Sequence, residues 1–154
     1  LGLRHSKINV LHKSILILGA GGVVPSIIYS LLSMGCKKIF LSNRTIEKAE
    51  NIKKKFEEVE VLKWKEIPDF DIVINATSVG LKGESLDLDF NTKDKVFYDV
   101  IYNPKETQFL KRARENGNRI ENGKLMFIYQ ANQSFSIWNN VIPKIDEEAL
   151  KILE

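Results

Sequence analysis

Two groups of residues in this chain have the types and spacing to bind a phosphorylated ligand. The first is Gly19-Ala20-Gly21-Gly22, preceded by the apolar run Ile15-Leu16-Ile17-Leu18. Gly19 and Gly21 carry no Cβ, so the backbone can turn tightly and let a pyrophosphate come close. A helix starting near Gly22 and Val23 would present unpaired N–H groups and the positive end of its dipole to that anion. The second group is Ser42-Asn43-Arg44-Thr45, at the end of the next apolar run. About 20 residues after a dinucleotide-binding glycine turn, an Asp or Glu normally accepts hydrogen bonds from the adenosine 2′-hydroxyl. Here that place holds Asn43 and Arg44. A carboxylate would repel a 2′-phosphate, whereas a guanidinium binds it through two parallel hydrogen bonds. The spacing therefore points to NADP(H). Thr45 is expected to cap the following helix, and Lys48, one turn along, reaches the same phosphate. Val24 stands at the third glycine position of such turns, which predicts slightly wider helix–strand spacing. Pro25 is compatible with a first helical turn, where no N–H partner is lost.

The elements that would position these residues follow from the apolar pattern. Strands are expected at 14–18, 38–42, 59–62, 71–75, 95–100 and 118–121. Helices are expected at 22–34, 45–56, 106–116, 126–138 and 146–154, the first with Ile27, Ile28, Leu31 and Leu32 buried and Gly35 as its C-cap. The second is amphipathic through Ala49, Ile52 and Phe56, and the fourth through Ile128, Ala131, Phe135 and Trp138. Residues 81–91 read as a loop. Strands alternating with helices predict an α/β fold, a Rossmann-like, doubly wound, mainly parallel six-stranded sheet with helices on both faces. Residues 1–13 read as a residual junction with a missing N-terminal domain, 14–138 as the nucleotide-binding domain and 139–154 as a C-terminal helix.

Composition narrows the function classes. The chain has 154 residues and a net charge of +3. Lys53-Lys54-Lys55 is followed by Glu57-Glu58, a solvated helix face rather than a nucleic-acid stripe. No run approaches the ~18 apolar residues of a membrane span, and no signal-peptide pattern opens the chain. A cytoplasmic protein is expected. Cys36 is alone and reads as a small buried residue; His5 and His12 are isolated, so no metal site is expected. The chain opens on Leu1 rather than Met, so a fragment is expected.

Three further segments fall just past strand ends, where such sheets hold ligands. In Asn75-Ala-Thr-Ser-Val-Gly-Leu81, Thr77 and Ser78 can line a cofactor cleft. In Tyr98-Asp-Val-Ile-Tyr-Asn-Pro-Lys-Glu-Thr107, Tyr102 ends a buried strand with a phenol that needs a partner, Pro104 breaks the strand, and Thr107 can cap the next helix. In Gly123-Lys-Leu-Met-Phe-Ile-Tyr-Gln130, the Gln130 amide either closes a buried hydrogen-bond network or faces a polar ligand.

Together these segments resemble the C-terminal NADP-binding domain of the shikimate/quinate dehydrogenase family. The resemblance runs from Leu16 to Trp138. It rests on the Gly-Ala-Gly-Gly turn at Gly19–Gly22, Asn43-Arg44-Thr45 with Lys48, Asn75 to Gly80, Tyr98 to Thr107, and Gly123, Met126 and Gln130. Val24 replaces a small residue, and Leu125 stands where the family often has Gly. The resemblance implies reduction of 3-dehydroshikimate to shikimate with NADPH, a step toward chorismate and the aromatic amino acids. Gly19 to Val23 would hold the pyrophosphate and Asn43 to Lys48 the 2′-phosphate. Val100, Gly123 and Met126 would line the nicotinamide side, while Tyr102 and Gln130 would reach the substrate. The family's catalytic Lys and Asp belong to an N-terminal substrate domain. Gly2 matches the last Gly of its Asn-Thr-Asp-x-x-Gly motif, which puts the Asp two residues before Leu1. No catalytic residue is therefore expected in this chain, which should bind NADP(H) without turning over shikimate. Asp71, Asp99 and Lys105 could form a substitute pair, but each reads as structural. A relative preferring NAD or quinate, and a stand-alone nucleotide-binding regulatory module, are the alternatives. Without its partner domain the chain is expected to self-associate, with Leu150, Ile152 and Leu153 short of cover.

Overall fold

The computed structural model of the chain describes residues 1–151. Its elements are α1 (Gly2–His5), β1 (Ser14–Leu18), α2 (Val24–Ser33), β2 (Lys38–Ser42), α3 (Ile46–Lys53), β3 (Val59–Leu62), β4 (Ile72–Asn75), β5 (Val96–Asp99), α4 (Gln108–Glu115), β6 (Arg119–Glu121), α5 (Lys124–Asn139) and α6 (Glu147–Lys151). The strands form one six-stranded sheet in the order β3-β2-β1-β4-β5-β6, with all five pairings parallel.

Parallel strands must be joined across a face of the sheet, so both faces are covered and the central strands read as continuous apolar runs. β1 shows how one run serves two layers. Ile15 and Ile17 point to one face, where they meet Val24, Ile28 and Leu31 of α2 and Ala49 and Ile52 of α3. Leu16 and Leu18 point to the other, against Val73, Phe97, and Phe109 and Leu110 of α4. Val24 is wholly buried in the first layer, so the side chain at the third glycine position is part of the core.

Part of the second layer is built without a helix. Between β4 and β5 the loop 81–91 lays Leu86 and Phe90 into the core, 6% and 8% exposed. Phe90 packs edge-on to Phe70 and Phe97, with ring centroids 5.8 and 5.4 Å apart. The segment is a loop, as its mixed acidic and apolar residues predict, yet it covers the sheet face where a crossover helix would otherwise lie.

Several boundaries differ from expectation. α2 begins at Val24 and α3 ends at Lys53, because helix ends fray into turns. Thr45 is the N-cap of α3, but its side chain makes no capping bond. Instead Asn43 Nδ2 donates to the Thr45 carbonyl at 2.7 Å. Thr107 does cap α4, its hydroxyl accepting from Leu110 N. Cys36 is half-buried rather than buried, and burial raises its thiol pKa.

The largest departure is α5. The helix forms, but none of its residues is buried. Phe135 is 47% and Trp138 81% exposed, so the stripe that predicted the helix does not meet this core. With Ile137, Val141 and Ile142 they form an exposed apolar end. The short α1, absent from the sequence expectations, packs against the start of α5. The final helix is seen over Glu147–Lys151, with Leu150 half-buried; Ile152, Leu153 and Glu154 lie outside the described residues. No helix among the described residues is long and apolar enough to cross a membrane.

Candidate functional site

Sheet register puts Leu18, Ser42, Leu62, Asn75 and Asp99 in one row, so the loops after β1 to β5 leave from the same edge. β1 is followed by β2 on one side, while β4 lies on its other side. The loops after β1 and β4 therefore lead apart and leave a crevice, the place where open α/β sheets take ligands.

The glycine turn lies in that crevice. Gly19 has φ +106°, and a Cβ on it would lie 2.7 Å from the Ala76 carbonyl oxygen. Only glycine combines that backbone with so close an approach of the β1 and β4 loops. Gly19 N also donates to Ser42 O at 2.8 Å, tying the turn to the end of β2. Gly21 and Gly22 are different: a Cβ on either would meet nothing within 4 Å. Their outer side is open, and α2 starts at Val24 with no side chain capping it. Open backbone beside an uncapped helix start suits an anion.

Gly19, Ala20 and Gly21 line a cleft of about 510 Å³ together with Asn43, Arg44, Lys48, Thr77 and Ser78. Eight expected residues from three separate segments thus share one cavity. Arg44 and Lys48 are exposed, and neither is ion-paired among the described residues. Their charges are therefore available to a ligand. Thr45 is exposed at the mouth of α3 and is not among the lining residues. The far wall is formed by residues the sequence reading missed: Trp64 just after β3, and Ser85, Leu86 and Asp87 of the 81–91 loop. The loop is held there by the burial of Leu86 and Phe90, and its start is a tight turn. Glu84 accepts from Lys82 N at 2.9 Å and Gly80 N at 3.2 Å, bonds that hold its carboxyl below its ordinary pKa. Lys65 pairs with Asp87 across the cleft rim.

Behind this cleft is a buried polar knot. Asn75 and Asp99 are both 0% exposed. Asn75 Nδ2 donates to Asp99 Oδ1 at 3.1 Å and to Val79 O at 3.2 Å. Asn75 Oδ1 accepts from Thr77 N and from the Thr77 hydroxyl, at 3.1 and 2.7 Å. Asp99 also accepts from Ile101 N at 3.0 Å and from the Thr107 hydroxyl at 2.6 Å. Burial raises the Asp99 pKa against the lowering effect of these bonds. One carboxylate thus joins the loops after β4 and β5 to the cap of α4. Asp71 lies at the opposite edge of the sheet, accepting from Ser14 N at 2.9 Å. Lys105 is exposed, and its carbonyl accepts from Asn122. Among the described residues Lys105 pairs with neither Asp71 nor Asp99, and the lysine beside Asp71 is Lys13.

The remaining expected residues lie on the other side of the glycine turn. Gly22 and Val23 line a second, more apolar cleft of about 530 Å³ with Met126 and Gln130 of α5, Ile27 of α2 and Gly2 of α1. Gln130 is exposed, so its amide closes no buried network and is open to this cleft. Gly123 abuts Val100: a Cβ there would overlap the Val100 carbonyl, and Gly123 N donates to Ile101 O at 3.0 Å. Tyr102 does not end a strand. It follows Asp99, the last residue of β5, by three positions, and its half-buried ring stacks on Phe127 at 4.6 Å. Val100, Tyr102 and Gly123 line neither cleft. Among the described residues, no group of three His, Cys, Asp or Glu could hold a metal ion.

A family model described as shikimate / quinate 5-dehydrogenase matches residues 3–82, just over half of the chain. The chain belongs to the shikimate/quinate 5-dehydrogenase family. Shikimate dehydrogenase (NADP(+)) of Pelagibacter ubique is 52% identical across the whole chain, which covers 59% of that protein. Among solved structures, shikimate dehydrogenase of Aquifex aeolicus superposes with a TM-score of 0.84 at 38% identity, over 97% of this chain and 57% of that one. Shikimate 5-dehydrogenase of Thermus thermophilus, solved with NADP(H) and shikimate, gives 0.85 at 25% identity, over 99% of this chain and 59% of that one. The chain thus spans less than two thirds of the length of the family members it matches.

Proposed function

We propose that this chain is the NADP-binding part of a shikimate dehydrogenase, which reduces 3-dehydroshikimate to shikimate with NADPH. The observation that carries the reading is the single cleft where the open glycine turn meets Arg44 and Lys48, two cations with no ion pair among the described residues. The residues present fit the cofactor. Gly19 to Val23 would cradle its pyrophosphate with backbone N–H groups, and Asn43 to Lys48 would hold its 2′-phosphate. Thr77 and Ser78 would line its path. When bound, NADPH supplies the hydride.

On the far side of the turn, Met126 and Gln130 line the apolar cleft, where they would meet the nicotinamide end and the substrate. Val100, Gly123 and Tyr102, which line neither cleft here, would join them only when the cofactor and substrate are bound. The substrate side of the cleft, with the acid–base Lys and Asp that the family resemblance implies, would be supplied by a further domain. The chain's own task is to hold the hydride donor in register with that half.

Two measurements test this. Fluorescence titration should show NADP binding far more tightly than NAD, since only NADP offers a 2′-phosphate to Arg44. Shikimate oxidation should be undetectable with the 154-residue chain alone and should appear when the remaining domain is joined to it. Turnover by the chain alone would remove the assignment of acid–base chemistry to the other half.

A further inference from the structure

The polar cleft has one feature that binding of phosphates does not use. Trp64 is the only aromatic ring lining it among the described residues. The other walls are backbone, small side chains, Leu86 and charged groups. A half-buried indole at the wall of a cationic cleft offers a flat apolar face where its neighbours offer charge.

Its place in the fold matches one part of a dinucleotide. Trp64 follows β3 (Val59–Leu62) by two residues, and Leu62 is in register with Ser42 at the end of β2. β3 is two strands from β1, about 10 Å at the usual strand spacing. With the pyrophosphate at the β1 turn and the 2′-phosphate at Arg44 past β2, the base on that ribose falls beside the end of β3.

The ring is also held in position. It packs against the buried cluster that contains Phe40, Leu62, Phe70 and Leu86. The next residue, Lys65, has φ +74°, a left-handed conformation that costs energy for a residue with a side chain. Lys65 pairs with Asp87 of the 81–91 loop, whose start is shaped by the bonds from Gly80 N and Lys82 N to Glu84. The packing of Trp64 on that cluster is what sets its position; the exposed Lys65–Asp87 pair only brings the turn after β3 next to the loop.

We propose that Trp64 is the surface on which the adenine ring of the cofactor stacks, making it a specificity-determining residue for a purine nucleotide. The proposal rests on the assignment of this cleft to NADP. Stacking on an aromatic face is worth enough per base to change affinity about tenfold. It should also alter the emission of the indole itself.

The chain has two tryptophans, and Trp138 is 81% exposed on α5. The variant Trp138→Phe therefore leaves Trp64 as the sole indole. Titrating this chain with adenosine 2′,5′-bisphosphate should quench its emission, and NADP should compete. Inorganic pyrophosphate, which offers charge without a ring, should leave the emission unchanged. Trp64→Leu should weaken both nucleotides about tenfold, and Trp64→Phe should restore most of that loss. If calorimetry shows the bisphosphate binding while emission and the Trp64→Leu affinity stay constant, the stacking role falls and the cofactor assignment stands. If neither nucleotide binds the Trp138→Phe chain or the unaltered chain, both fall. If Trp64→Leu does not fold, the emission of the Trp138→Phe chain decides alone.

Discussion

Replacing Asp99 with alanine tests how the cleft is held together. The carboxylate accepts from Asn75 Nδ2, Ile101 N and the Thr107 hydroxyl, at 3.1, 3.0 and 2.6 Å. In Asp99→Ala the Asn75 amide keeps its bond to Val79 O. Ile101 N and the Thr107 hydroxyl lose an acceptor in a place closed to water. Each orphaned donor costs about 1–3 kcal/mol. Against that, removing the carboxylate relieves the cost of burying its charge, the same cost that raises its pKa. The net expectation is a loss of about 2–4 kcal/mol in unfolding free energy. For a chain of this size that lowers the melting temperature by about 5–15 °C. Asp99→Asn keeps one acceptor oxygen and should lose about half as much. Urea unfolding at pH 7, followed by far-ultraviolet circular dichroism, measures both. If Asp99→Ala stays within about 0.5 kcal/mol of the parent, the surface value for an unimportant site, the knot does not hold these loops.

Other changes probe separate parts of the molecule. Arg44→Ala should weaken NADP by about 1.5–3 kcal/mol and leave NAD unchanged, read by fluorescence titration; equal affinity of the unaltered chain for both cofactors would refute the role of Arg44. Gly123→Ala forces a methyl into the Val100 carbonyl and should cost about 2 kcal/mol or more in urea unfolding, whereas a neutral result would mean that the two loops can part freely. The bond from Ser14 N, ahead of the Lys13 contacts, lowers the Asp71 pKa. Its contribution is therefore present above the ordinary carboxylate pKa of about 4 and is lost as pH falls through the lower folded value. With a side chain 38% exposed, that contribution is below about 1 kcal/mol, and Asp71→Asn should remove this part of the acid dependence without steepening it. The exposed apolar end formed by Phe135, Ile137, Trp138, Val141 and Ile142 should make the chain self-associate, visible as concentration-dependent elution in size-exclusion chromatography. A sharp monomer at high concentration would contradict this.

The parts of the fold legible in the sequence are those governed by neighbours along the chain. The edges of β1, β2 and β3 fall where apolar runs meet polar residues, and the Thr107 cap follows a local rule. The glycine turn was legible because a strand, a turn without Cβ atoms and a helix start are contiguous. The Asn43-Arg44 pair was legible because the role proposed for it depends on its distance from that turn along one βαβ unit. Even α5 was found from its spacing alone, although its stripe is left exposed.

What only the tertiary structure decided depends on residues far apart in sequence. Asp99 read as an unremarkable strand residue until register set it beside Asn75 and folding brought Thr107 to its other oxygen. Trp64 belongs to no motif; it joins the cleft because β3 lies two strands from β1 and because the ring packs on the core cluster beneath it. The loop 81–91 has no helical period, yet Leu86 and Phe90 complete a sheet face. Gln130 had two readings open, and its exposure on α5 removed the buried one. Local propensity and periodicity fix which segments are strands and helices. Partners across the sheet edge follow from strand order and register, which are set when the whole core closes.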